Sequence, residues 1–117
     1  METKAVIEAL SALAQESRLA AFRLLVQQGP EGLAAGTLAE RLSIPPATLS
    51  FHLKELTRAG LISQRQEGRF VIYSTDFTTM DRVLGFLTEN CCQGKAELCR
   101  PRSARVQAKF AKKRKAV

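Results

Sequence analysis

Three cysteines, Cys91, Cys92 and Cys99, crowd into a short stretch near the carboxyl end of the 117-residue chain. An odd number so clustered argues against a secreted disulfide framework. Thiolates are soft donors and select soft acceptors. A closed structural zinc site takes four ligands, whereas trivalent arsenic or antimony is satisfied by three sulfurs, because a lone pair fills the fourth direction. Neighbours on a helix point about 100° apart, so Cys91 and Cys92 converge only where a helix ends. Gly94 offers the bend, and the residues that follow let Cys99 fold back. Other readings stay open. The thiols would be structural if buried, although Glu89, Asn90, Gln93, Gly94 and Lys95 make the stretch polar. A disulfide between Cys99 and either neighbour would make a redox or sulfur-species switch. Glu89 or Glu97 would complete a zinc site.

A second set of residues suits nucleic acid. From Ala47 to Ala59, Leu49, Leu53 and Leu56 recur at i, i+4 and i+7, the apolar face of a helix. With Pro46 at its start, this leaves Thr48, Ser50, Phe51 and Lys54 facing out. Hydroxyls meet base edges or phosphates, and an exposed Phe can touch a thymine methyl. Arg65 and Arg69 follow on a hairpin and would reach phosphates or the minor groove. Residues 36–75 hold five cations and three acids, against ten and eleven over residues 1–99. The cations therefore gather where DNA would need them. His52 lies beside the inward face and reads as a hydrogen-bonded support.

The elements that must position these residues follow from periodicity. Residues 4–14 form an amphipathic helix, and Ser17 is a candidate cap for a second over Arg18–Gln28, closed by Gly29-Pro30. Residues 34–42 make a short helix burying Leu38 and Leu42. The turn through Ser43-Ile44-Pro45-Pro46 joins it to the leucine-bearing helix as a helix-turn-helix, ended by Gly60. The period then changes to 2. Residues 61–65 and 70–74 read as strands around a turn at 66–69. Asp76 caps a last helix with Phe77, Met80, Leu84 and Leu87 on one stripe, on which Cys91 is the next position. The fold expected is mainly α with a β-hairpin wing, a winged helix-turn-helix. The first helix (Val6, Leu10, Leu13) and the last (Phe77, Met80, Leu84, Leu87) offer apolar stripes that a monomer of this length would leave in water, which predicts dimerisation through these two helices.

Ala12–Leu19 (ALAQESRL), Thr48–Leu56 (TLSFHLKEL) and Ala59–Ile62 (AGLI) resemble the ArsR/SmtB family of bacterial metal-responsive repressors over about residues 5–90. The resemblance implies a homodimer on an inverted-repeat double-stranded operator, released by an inducer. The Cys-x-Cys version of the family's site is absent, because Leu33-Ala34-Ala35-Gly36-Thr37 stands in its place. The zinc version on the last helix would have Asp81 and Glu89 but lacks a His after His52. Some members carry a vicinal Cys pair with a third Cys downstream and respond to trivalent arsenicals. Trivalent arsenic, or antimony, at Cys91, Cys92 and Cys99 is thus the expected inducer, and no organic cofactor is expected.

One His, one Tyr and no Cys-x-x-Cys after a strand argue against a thiol enzyme, and a pure protein-interaction module would not need Ser50, Phe51 or Arg69 outward. No apolar run approaches the ~18 residues of a membrane span and the amino terminus does not read as a secretory signal, so a cytoplasmic protein is expected. The net charge of +7 is local: residues 100–117 carry eight Lys/Arg and no acid. The expected organisation is a DNA-binding and sensor domain over 1–99 and a basic tail over 100–117. The tail's expected contribution is sequence-blind affinity through counterion release. Deleting residues 100–117 should flatten the salt dependence of DNA binding, measured by fluorescence anisotropy, without altering which sequence is preferred. A changed sequence preference would contradict that role.

Overall fold

The computed structural model describes residues 1–95. The elements run α1 (Thr3–Leu13), α2 (Glu16–Gln28), a 3-10 turn (Gly29–Glu31), β1 (Leu33–Ala34), α3 (Ala35–Leu42), α4 (Pro46–Arg58), β2 (Ile62–Glu67), β3 (Phe70–Thr75) and α5 (Phe77–Leu87), then a 3-10 turn over Cys91–Gly94. The winged helix-turn-helix expected from the sequence is the fold observed. The chain divides into two units, Met1–Phe86 and Leu87–Val117.

The first unit has one apolar core. Leu25 of α2, Leu38 of α3, Leu49, Leu53 and Leu56 of α4, and Leu61 before β2 are all fully buried in it. Burying a leucine stabilises by about 1.5–3 kcal/mol relative to exposing it, so the α4 row alone anchors that helix firmly against α1, α2, α3 and β2. Pro46 occupies the first turn of α4, where a missing N–H costs nothing. Ser43 closes α3 in the left-handed region, and Gly60 does the same after α4 at φ +80°.

Several details depart from the sequence reading. Ser17 does not cap α2; Gln15 does, its side chain accepting from the Arg18 N–H at 2.8 Å. The Asp76 cap of α5 is present, its carboxylate accepting from the Thr79 N–H at 3.1 Å. Strand β2 runs two residues further into the expected turn while β3 begins at Phe70 as expected, leaving only Gly68 and Arg69 between the pair Glu67↔Phe70. Gly68, at φ +61°, supplies the conformation that a two-residue turn requires at its first position. The strand β1, too short to leave a period in the sequence, pairs antiparallel with β3 through Leu33↔Tyr73 and Ala34↔Ile72, giving the sheet order β1-β3-β2. Gly32 makes that pairing possible, since a Cβ there would lie 2.2 Å from the Tyr73 carbonyl oxygen.

The stripes expected to pair two copies are also redistributed. Val6, with Ala9 and Ala12, is buried in the chain's own core, and Leu13 packs partly against it. The exposed apolar residues of α1 are Leu10 and Ile7, the latter on the amphipathic helix but not among the residues expected to pair. On α5, Val83 is buried, Met80 and Phe86 pack against the core, and Phe77 is half-buried. Leu84 and Leu87 are exposed.

Leu56→Ala should lower stability by about 2–5 kcal/mol through lost burial and the cavity left behind. Urea unfolding followed by circular dichroism measures this, and a loss below ~1 kcal/mol would contradict the packing described.

Candidate nucleic-acid interface and cysteine cluster

The same helical geometry that buries Leu49, Leu53 and Leu56 turns Pro46, Thr48, Ser50, Phe51 and Lys54 to solvent. Phe51 is 57% exposed, a large apolar surface with no partner in the core. No side chain caps the first turn of α4, so its leading N–H groups are left for an outside acceptor such as a phosphate oxygen. Ala47, which the sequence reading omitted, is exposed on that turn too, and its methyl suits contact with a thymine. Together these form a small polar and apolar surface with one cation, Lys54. It can meet base edges and backbone at once.

Behind this surface lies a part-buried polar joint. His52 is buried on α4, and its Nδ1 lies 3.4 Å from Arg18 Nη1. Because the guanidinium only donates, Nδ1 is the acceptor there. Arg18 Nε donates to the Ala12 carbonyl oxygen at 2.7 Å. One side chain therefore ties the end of α1 and the start of α2 to the outward-facing helix. His52 is the support its position suggested, with the edge of its ring system 5.8 Å from Phe51 between centroids.

The two wing arginines differ. Arg65 Nε donates to Glu67 Oε1 at 2.8 Å, and its Nη2 and Nη1 donate to the carbonyl oxygens of Glu31 (2.7 Å) and Pro30 (3.4 Å). It braces the wing against the loop after α2. Arg69 sits in the turn itself, exposed, and forms no ion pair among the described residues.

The cysteine region begins where α5 stops. Asn90, Cys92, Gln93 and Gly94 all have positive φ, so the backbone leaves the helical register and Cys91 does not continue the Leu84–Leu87 stripe as expected. The helix end that convergence demanded is present, and the Cys91 and Cys92 sulfurs lie 3.7 Å apart. Two sulfurs sharing one ion at about 2.3 Å each, at angles of about 90–110°, are held about 3.3–3.8 Å apart. Only with both sulfurs reduced would that spacing suit a single soft ion. Cys91 is exposed, Cys92 half-buried, and Cys92 is disulfide-bonded. Cys99 and Glu97 lie outside the described residues, among which no cluster of three or more His, Cys, Asp or Glu is placed to hold a metal. Asp81 and Glu89 are exposed. No helix among these residues is long and apolar enough to cross a membrane.

Residues 13–65 match a helix-turn-helix domain family. The chain is 40% identical over 77 residues to an uncharacterised helix-turn-helix regulator, YceK of Bacillus subtilis, covering 65% of this chain and 76% of that one. It is 34% identical over 90 residues to the transcriptional activator HlyU of Vibrio cholerae, covering 77% and 80%. It is 35% identical over 72 residues to a putative arsenical resistance operon repressor of Halobacterium salinarum, covering 62% and 55%. Among solved structures, an ArsR-like regulator from Rhodococcus superposes with a TM-score of 0.65 at 24% identity, covering 90% and 92%. HlyU superposes with a TM-score of 0.60 at 29% identity, covering 79% and 99%.

Phe51→Ala should leave the unfolding free energy within about 0.5 kcal/mol, because the ring is exposed, while weakening binding to a preferred duplex about tenfold. Parallel urea titrations and gel shifts separate the two effects. A variant that unfolds readily or binds DNA normally would contradict the assignment of Phe51 to the interface.

Proposed function

The chain belongs to the ArsR/SmtB family of winged-helix transcriptional regulators, which are not enzymes, and on that premise we propose that it is a homodimeric repressor released from its operator by trivalent arsenic, or antimony, captured by Cys91, Cys92 and Cys99. The observation that supports this inducer is the 3.7 Å separation of the Cys91 and Cys92 sulfurs beyond the end of α5, a spacing that would suit one soft ion once Cys92 is reduced. The similarity to a putative arsenical resistance repressor supports it.

Capture is a ligand exchange. Three thiols replace the three hydroxyls of arsenous acid, and each thiol proton leaves with a hydroxyl as water. No electron is transferred, so the thiols must first be reduced, Cys92 included. In a reducing compartment a dithiol is held available for this.

The operator is an inverted repeat. Two copies of α4, one from each subunit, enter successive major grooves about 34 Å apart. The apolar surface for pairing comes from Ile7 and Leu10 of α1 and from Leu84 and Leu87 of α5, all exposed in a single chain. A solved relative at 24% identity, from Mycobacterium bovis, is described as homodimeric.

A second reading is favoured by the disulfide at Cys92, and a solved structure of HlyU is described as the reduced form. Here oxidation of Cys92 with another thiol, rather than ion capture, changes DNA affinity. A typical coupling of ~1–3 kcal/mol between sensing and binding sites corresponds to about 5- to 150-fold in affinity, enough for either switch.

Titrating the fully reduced protein with arsenite, while counting thiols and following a bound duplex by anisotropy, should consume three thiols per subunit as DNA is released. Cys91→Ser, Cys92→Ser and Cys99→Ser should each abolish release. Release by peroxide but not by arsenite would favour the second reading, and a reporter silenced by the protein and restored by arsenite fixes the sign of regulation. Release by arsenite in all three variants would sink the three-cysteine site.

A further inference from the structure

Phe70 opens β3 directly beside the two-residue wing turn and is 63% exposed, the largest exposure among the big apolar side chains of the described residues. Alternation along β3 sets it on the face opposite Tyr73 and Thr75, of which Thr75 is buried and Tyr73 packs against the core. Its cross-strand neighbour is Glu67, so no apolar partner across the hairpin explains it. The next residue in the turn is the exposed cation Arg69. Arg65 neutralises Glu67 by the 2.8 Å contact already described, leaving Arg69 as the positive charge at the tip.

We propose that Phe70 is a DNA-contacting, specificity-determining residue: an apolar wedge that the wing sets against the minor groove beside Arg69, with Arg65 a positioning residue that holds the wing at its angle. The proposal rests on the DNA-binding reading. The occupant is duplex DNA rather than a protein because the wing adjoins α4, whose outward face is the nucleic-acid surface, and because the tip joins an aromatic to an unpaired cation. Arginine is drawn to narrow minor grooves, which A·T tracts provide, and apolar wedges enter most easily at flexible pyrimidine–purine steps. The positions flanking each α4 half-site should therefore prefer A·T pairs with such a step. Arg65 differs in kind. With its guanidinium bonded to Glu67, Glu31 and Pro30, it acts on DNA only through the wing.

The test uses the full-length protein and a duplex it selects from a random-sequence pool. Phe70→Ala should weaken that duplex about tenfold with an unchanged salt slope, Phe70→Leu should recover part of the loss, and sequences re-selected by Phe70→Ala should lose the flanking preference. Arg69→Gln should reduce the salt slope by about one, as loss of one phosphate contact does. Arg65→Gln should weaken binding with the slope intact. Equal affinity and equal selected sequences for wild type and Phe70→Ala would overturn the wedge while leaving DNA binding standing. A one-unit fall in slope for Arg65→Gln would overturn its role as a brace. A pool from which the wild type selects nothing would overturn both this proposal and the DNA-binding reading.

Discussion

The row Leu49, Leu53 and Leu56, each at most 1% exposed, constrains what the rest of the molecule can present. A helix has one period, so fixing three inward positions fixes every outward one. Thr48, Ser50, Phe51 and Lys54 do not choose their direction; the core assigns it. A recognition surface built this way gains rigidity because its supports are aliphatic and closely packed, while its own residues remain free to vary without disturbing the fold. Function and stability occupy opposite sides of the same helix.

A polar joint complements that apolar one. Arg18 binds the Ala12 carbonyl and approaches His52, while its own N–H is held by Gln15. The link therefore joins the end of α1 to α4. The exposed apolar residues Ile7 and Leu10 lie on α1, the helix offered for pairing. A shift of α1 would be felt at His52, next to Phe51 on the outward face of α4, through these part-buried hydrogen bonds.

What was legible in the sequence follows from how locally each feature is encoded. The helix-turn-helix and the outward residues of α4 were readable because leucines at i, i+4 and i+7 specify a face without knowledge of anything distant. The Gly60 and Asp76 boundaries were readable for the same reason. Three features were not. The strand β1 is two residues long and exists only because β3 offers an edge. The role of Arg65 depends on carbonyls of Pro30 and Glu31, far off in sequence. Periodicity puts Val6 on a pairing stripe because it identifies an apolar face but not which neighbour covers it. At the cysteines, the need for a helix end was legible, but the backbone that supplies it was not, since nothing in Asn90-Cys91-Cys92-Gln93 names a left-handed run.

That run bears on how sensing can reach DNA. A rigid helix carried through to Cys91 would transmit capture of an ion as a rotation. The backbone instead leaves the helix after Leu87, with Cys92 at φ 54° and Gln93 at φ 60°, conformations that cost non-glycine residues roughly 1–2 kcal/mol each. The shape described already carries a disulfide at Cys92, so it belongs to a cross-linked state. Under the proposed function, closing a sulfur cross-link, whether through an ion or through a disulfide, would select a backbone shape at residues 90–94 rather than turn a helix as a lever arm. On this account both inducer chemistries act through one physical device, and the identity of the cross-link matters less than its closing.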